Sequence, residues 1–148
     1  MLEYTSSPKQ TQELAQRVAD RLKKGCFIAF NGDLGAGKTA FISGLVKALG
    51  CDEPVSSPTF ALMNQYIGGR LPVYHFDLYR IEGSEIYSLG FDEIFYDDSA
   101  IKCVEWSERL LESDMPPKRI EITVIRLDGD NRCFSVKPIG YAEGEIDL

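Results

Sequence analysis

Leu14, Ala15, Val18, Ala19 and Leu22 recur at three- and four-residue spacing, which predicts an amphipathic helix stopped at Gly25. The run Cys26 to Phe30 that follows is unbroken and apolar, the signature of a strand buried on both faces of a parallel sheet. Phe41, Ile42, Leu45, Val46 and Leu49 then return to helical spacing up to Gly50. Residues 60–67 and 71–76 read as extended, with Gly68-Gly69 as the hairpin turn. Ser84 stands where it can cap a short helix ending near Gly90, and Phe91 to Tyr96 predicts another. Ile101 to Val104 is a second buried strand, Ser107 to Leu111 a helical turn, and Pro116-Pro117 a break. From Arg119 to Leu127 the chain alternates, with Ile120, Ile122 and Val124 on one side. Asp128 to Asn131 is a turn, and Arg132 to Val136 returns as a strand. Gly140 to Leu148 carries three acids and reads as an acidic tail. The expected fold is a single α/β domain over residues 1–148, with a mainly parallel central sheet, antiparallel additions and flanking helices.

Composition narrows the function. The chain has 148 residues, 44% hydrophobic and 26% charged, as in a soluble globular domain. No apolar run approaches the ~18 residues that suggest a membrane span. Met1-Leu2-Glu3-Tyr4 does not begin a secretory signal. The formal charge of -7 opposes strong direct binding of nucleic acid, which rests on neutralising phosphates with Lys and Arg. Cys26, Cys51, Cys103 and Cys133 form no Cys-x-x-Cys pair, and reduced thiols in a cytoplasmic protein are expected.

The clearest chemistry lies between the first predicted strand and the helix after it. Gly32 to Thr39 reads Gly-Asp-Leu-Gly-Ala-Gly-Lys-Thr, a complete P-loop in its proper context. Gly35 and Gly37 permit left-handed torsions, so successive N–H groups converge on phosphates at the positive end of a helix starting near Lys38. The expected nucleotide-holding run is Gly35, Ala36, Gly37, Lys38, Thr39 and Ala40. Lys38 supplies a full charge to the phosphates and the Thr39 hydroxyl a ligand for magnesium. Such a site also needs a carboxylate at a neighbouring strand end. Glu105 is the leading candidate and Asp77 the other, and either acid fits either role. Val55 to Phe60 is a hydroxyl-rich loop that reads equally as a γ-phosphate sensor or an ordinary turn. His75, the only histidine, reads as a packed or hydrogen-bonded side chain, and Trp106 as core near the nucleotide edge, with a nucleotide or partner contact as the lesser reading.

In combination these segments resemble the bacterial TsaE family (older name YjeE). The resemblance rests on Thr11 and its helix, Gly32 to Thr39, Ser57-Pro58-Thr59-Phe60, the run His75-Phe76-Asp77-Leu78-Tyr79-Arg80, and Val104-Glu105-Trp106. It implies the P-loop NTPase fold and magnesium-dependent ATP hydrolysis. That activity would serve threonylcarbamoyladenosine formation in transfer RNAs reading codons that start with adenine. By the same resemblance Lys38 grips phosphate, Thr39 and Glu105 ligate magnesium, and Asp77 places the metal or the attacking water. Ser57, Pro58, Thr59 and Phe60 form a switch-like loop, and His75, Tyr79, Arg80 and Trp106 belong to the switch or to partner contacts. Thr11 resembles a position near the adenine, with Arg132 on the same side of the nucleotide. Ser107 departs from the proline or other small residue frequent after the tryptophan. The implied partners are TsaD and TsaB, whose complex stimulates the family's ATPase and is reset by hydrolysis, with TsaC in the pathway. A small-molecule P-loop kinase is the main rival, although no arginine-bearing lid is visible. A regulatory GTPase lacks its Asn-Lys-x-Asp segment here, and a module binding nucleotide only to hold its shape is the remaining alternative.

Overall fold

The computed structural model describes residues 1–148 apart from Leu34, Thr59 and Phe60. The strands are β1 (Leu2–Thr5), β2 (Phe27–Gly32), β3 (Met63–Tyr66), β4 (Val73–Asp77), β5 (Ile101–Glu105), β6 (Arg119–Arg126) and β7 (Arg132–Ile139). The helices are α1 (Pro8–Ala19), α2 (Lys38–Ala48), α3 (Glu85–Ser88) and α4 (Phe91–Phe95). The strands form one sheet in the order β1-β7-β6-β2-β5-β4-β3. Its centre is parallel: β2 pairs with both β6 and β5, and β5 pairs with β4. Antiparallel strands close both sides, β3 against β4 and β7 between β6 and β1. The expected α/β architecture is therefore observed. The edge strand β1 is new, because a four-residue strand paired across the chain to β7 leaves no local pattern to read.

One face of the sheet carries α1 and α2. Ser7 caps α1 by accepting a bond from the Gln10 N–H, and Pro8 starts the helix without wasting a donor. The helix ends at Ala19, capped by Asp20, rather than at Gly25. Leu22 stays buried because the turns after Asp20 keep it on the core side. Gly25 serves the entry to β2 instead: its φ is +87°, and a Cβ there would stand 3.2 Å from the Asp98 carbonyl oxygen. Between the two helices, a Cβ at Gly44 would lie 2.9 Å from Gln12 Cα, so the missing side chain sets their close approach. Beneath them lie Ile28, Phe30, Phe41, Ile42, Leu45, Ile122 and Phe134. The Phe41 ring is 5.6 Å from Phe30 and 5.5 Å from Phe134, centroid to centroid.

The opposite face is covered by α3, α4 and two short 3-10 turns, Ser107–Arg109 and Glu112–Asp114. Its core is smaller and aromatic: Phe27, Phe76, Phe91 and Phe95 meet edge to face at 4.9–5.2 Å. Ser84 precedes α3 but makes no side-chain cap; the Glu85 carboxylate accepts the Glu82 N–H instead. Residues 140–148 are no free tail. Tyr141, Ile146 and Leu148 pack against the larger core, Arg21 binds Asp147 at 2.9 Å, and Lys118 pairs with Glu145. All four cysteines are buried free thiols, and burial pushes the Cys103 thiol well above its ordinary value. Among the described residues no helix is long and apolar enough to cross a membrane.

Candidate nucleotide site

The site stands at the carboxyl ends of β2, β4 and β5, where parallel strands leave open loops. Gly35 and Gly37 have φ of +73° and +112°, the left-handed torsions expected of them. Gly37 opens α2 without any side-chain cap, so first-turn N–H groups remain available to an anion. The Lys38 ammonium donates to the Gly32 carbonyl oxygen at 2.7 Å and lies 3.7 Å from the centroid of the Trp106 ring. Burial pushes this lysine below its ordinary value, opposed by the carboxylates of Glu105, Glu108, Asp77 and Asp33. The amine is thus a desolvated charge satisfied by a carbonyl and an aromatic face, and phosphate oxygens would be stronger partners.

Two carboxylates on the adjacent strands act on the lysine electrostatically without pairing with it. Asp77 and Glu105 are direct neighbours in the parallel β4–β5 pairing. Thr39 Oγ1 donates to Glu105 Oε1 at 3.5 Å, and His75 Nε2 lies 2.5 Å from Glu105 Oε2. Asp77 is engaged on both oxygens: Ser57 Oγ donates to Oδ2 at 2.7 Å and the Tyr79 N–H to Oδ1 at 3.0 Å. The two acids therefore meet different neighbours. Glu105 faces Thr39, and their two hard oxygens fit one edge of a magnesium shell that nucleotide oxygens would complete. Asp77 faces the hydroxyl loop and ties Ser57 to β4.

Trp106 adopts φ +61°, a left-handed torsion that costs a non-glycine residue about 1–3 kcal/mol. Its neighbours hold it there: the Ser107 hydroxyl donates to the Phe30 carbonyl at 3.3 Å and meets the Asn31 side chain, while the Tyr79 ring packs 4.9 Å away. Arg109 donates to the Tyr79 carbonyl at 3.1 Å. Asn31, Ser107 and Arg109 were not among the candidate site residues, since their contacts are ones that only the fold assembles. Arg80 and Tyr79 lie on the exposed rim of the site, and Pro58 is buried at its loop. Thr59 and Phe60 lie outside the described residues.

The positions expected near the base are linked through Thr5, which pairs with Arg132 in the β1–β7 register and shares a hydroxyl contact with Thr11. Arg132 donates to the Ala36 carbonyl at 2.9 Å, clamping the P-loop from β7. It also lines a cleft of about 500 Å³ with Tyr4, Thr5, Ser6, Gln10 and Leu127. Thr11 and Thr5 are both buried with their hydroxyls 2.9 Å apart, and of the two only Thr5 lines the cleft.

A buried strand, a glycine-rich turn, an uncapped helix and a strand-end carboxylate facing the helix's threonine define a P-loop nucleotide-binding protein. The comparisons with known proteins are specific. The family model described as "Threonylcarbamoyl adenosine biosynthesis protein TsaE" matches residues 5–134. The chain therefore belongs to the TsaE family, a P-loop NTPase family involved in transfer RNA threonylcarbamoyladenosine biosynthesis. It is 42% identical over 147 residues to the Nostoc tRNA threonylcarbamoyladenosine biosynthesis protein TsaE, covering 97% of this chain and 89% of that one. The Bacillus subtilis protein of the same name is 38% identical over 136 residues, covering 92% and 84%. A crystal structure of Bacillus subtilis YdiB superposes with a TM-score of 0.77 at 31% identity, covering 95% of this chain and 86% of that chain.

Proposed function

We propose that this protein hydrolyses ATP with magnesium and acts on a TsaB–TsaD complex in the cytoplasm, as one catalytic domain, with TsaC elsewhere in the pathway. The transfer RNAs served are those reading codons that start with adenine. The observation that carries this reading is the Thr39 hydroxyl turned to Glu105 at an uncapped helix start, with the Lys38 ammonium in the field of the same carboxylate. Magnesium would neutralise charge on the β- and γ-phosphates. The chain's own residues do the rest. Lys38 exchanges the Gly32 carbonyl for phosphate, the first-turn amides hold the remaining oxygens, and Glu105 with Thr39 fixes the metal edge. Asp77, with Ser57 attached, holds the hydroxyl loop where the attacking water must be oriented.

Among the described residues, Arg109 is committed to a backbone carbonyl and Arg132 to the P-loop itself. A P-loop without an arginine on the transferring phosphate hydrolyses slowly, and one supplied by a partner raises the rate ~10³ to 10⁵-fold. Arg126 also stands beside Gly35 and Arg80 on the rim, so slow turnover alone and stimulation by the partner complex belong to the proposal and are not dictated by where these arginines lie. The experiment is phosphate release from ATP and magnesium, alone and with purified TsaB and TsaD. Stimulation by the pair supports the proposal; no stimulation, or phosphate appearing on a metabolite, overturns it.

A further inference from the structure

The chain's single histidine is wholly buried, and its two ring nitrogens have different fates. Nε2 lies 2.5 Å from Glu105 Oε2, whereas Nδ1 has no hydrogen-bond partner among the described residues. A buried N–H without an acceptor is costlier than a bare lone pair, so the proton belongs on Nε2, which donates to the carboxylate. The backbone enforces this pairing. His75 opposes Cys103 in the β4–β5 register, which places its ring diagonally beside Glu105 on the same face of the sheet. The Tyr66 ring stands 6.4 Å away, and the Tyr66 hydroxyl meets the backbone of Ser56 at 3.4 Å. The imidazole is therefore wedged between the strand-end carboxylate and the strand that anchors the hydroxyl loop.

We infer that His75 is the positioning residue for Glu105. By occupying Oε2 it leaves Oε1 as the one oxygen turned toward Thr39, so Glu105 meets a divalent cation through a single, fixed oxygen. Without the imidazole the carboxylate can rotate, and Oε2 is left buried and unpaired. This rests on the magnesium reading above and adds to it the group that sets the ligand's orientation. Partners that orient a metal ligand are typically worth ~10- to 100-fold in metal affinity.

The test is binding of Mn²⁺, as a paramagnetic stand-in for magnesium, to the protein with ADP, read by electron paramagnetic resonance and independent of turnover. ADP affinity without metal and the circular dichroism melt are measured alongside. His75→Leu should bind Mn²⁺–ADP ~10- to 100-fold more weakly with metal-free ADP affinity unchanged. His75→Gln, whose amide can donate from near the Nε2 position, should recover most of the loss. In the native protein, imidazole ¹⁵N spectra should show a protonated Nε2 and a bare Nδ1. Native protein that binds no Mn²⁺ with ADP would sink the magnesium reading itself. Native binding matched by an equally tight His75→Leu, or a proton on Nδ1, would overturn the role of His75 alone. Should His75→Leu fail to fold, the His75→Gln affinity and the native spectrum still decide.

Discussion

The two faces of the sheet are built differently. On one, helices of 12 and 11 residues lie over a broad aliphatic and aromatic core, and the P-loop begins the second of them. On the other, helices of 4 and 5 residues and two 3-10 turns cover a compact group of phenylalanines. Strand β5 shows the division: Ile101 and Cys103 join the first core, and Val104 the second. His75, Asp77 and Glu105, in step with Val73 and Ile101, fall on the long-helix face beside the P-loop. Trp106, the Tyr79 ring and the rim lie with the short-helix face. The first face supplies a rigid platform for charge. The second depends on short elements that few backbone bonds hold, the usual makings of a region that opens locally.

Core truncations should separate the faces most strongly. Phe41→Ala should cost about 3–5 kcal/mol, because the ring is fully enclosed between β2, β7 and α2. Phe91→Ala, at the partly open edge of the other core, should cost clearly less in the same urea unfolding series. Equal losses would erase the distinction between the faces. Lys38→Ala should lower phosphate release about 10²- to 10³-fold, the scale for removing one donor aimed at developing charge. Its melting temperature should not fall, since the substitution relieves a desolvated ammonium. A large stability loss instead would make Lys38 part of the platform's structure rather than its chemistry.

Ser57→Ala removes the hydroxyl that binds Asp77 and should cost up to about 1 kcal/mol in the barrier, visible as a fall of a few fold in turnover. Unchanged turnover would detach the hydroxyl loop from the reaction. The smallest effect concerns the docked end of the chain. The Lys118 amine beside Glu145, with the Ala142 N–H, holds this carboxyl below its ordinary value. A depressed carboxyl contributes stability above its unfolded value and loses it as pH falls through the folded one. Protection factors in residues 140–148, exchange rates corrected for their intrinsic pH dependence, should therefore fall selectively below about pH 4.3, the ordinary glutamate value. Protection factors that hold level across that range would show that the Glu145 carboxylate does not help dock the segment.

The sequence was most legible where the period was local. The run Cys26 to Phe30, the helical repeat from Phe41 to Leu49 and the alternation at Ile120, Ile122 and Val124 all became the elements their spacing predicts. The P-loop turn was equally legible within eight residues of chain, and Gly35 and Gly37 take the left-handed torsions expected of them. Gly25 misled because a glycine needed for a close approach looks the same in sequence as one that stops a helix. The different neighbours of Asp77 and Glu105 were hidden, since they are met only across strands. His75 read as a packed or hydrogen-bonded residue, but its partner was hidden for the same reason: Glu105 is 30 residues away and reaches it only through the β4–β5 register. The acids at Glu143, Glu145 and Asp147 suggested a solvated tail, while Tyr141, Ile146 and Leu148 between them carried the docking signal.

The burial of all four native thiols makes the molecule a clean template for site-directed labelling. A cysteine introduced on the rim at Tyr79, paired with one on the exposed side of α1 at Gln16, would take maleimide dyes with little competition from the native chain. Energy transfer between them would follow the short-helix face against the fixed platform, one molecule at a time, as nucleotide arrives and leaves.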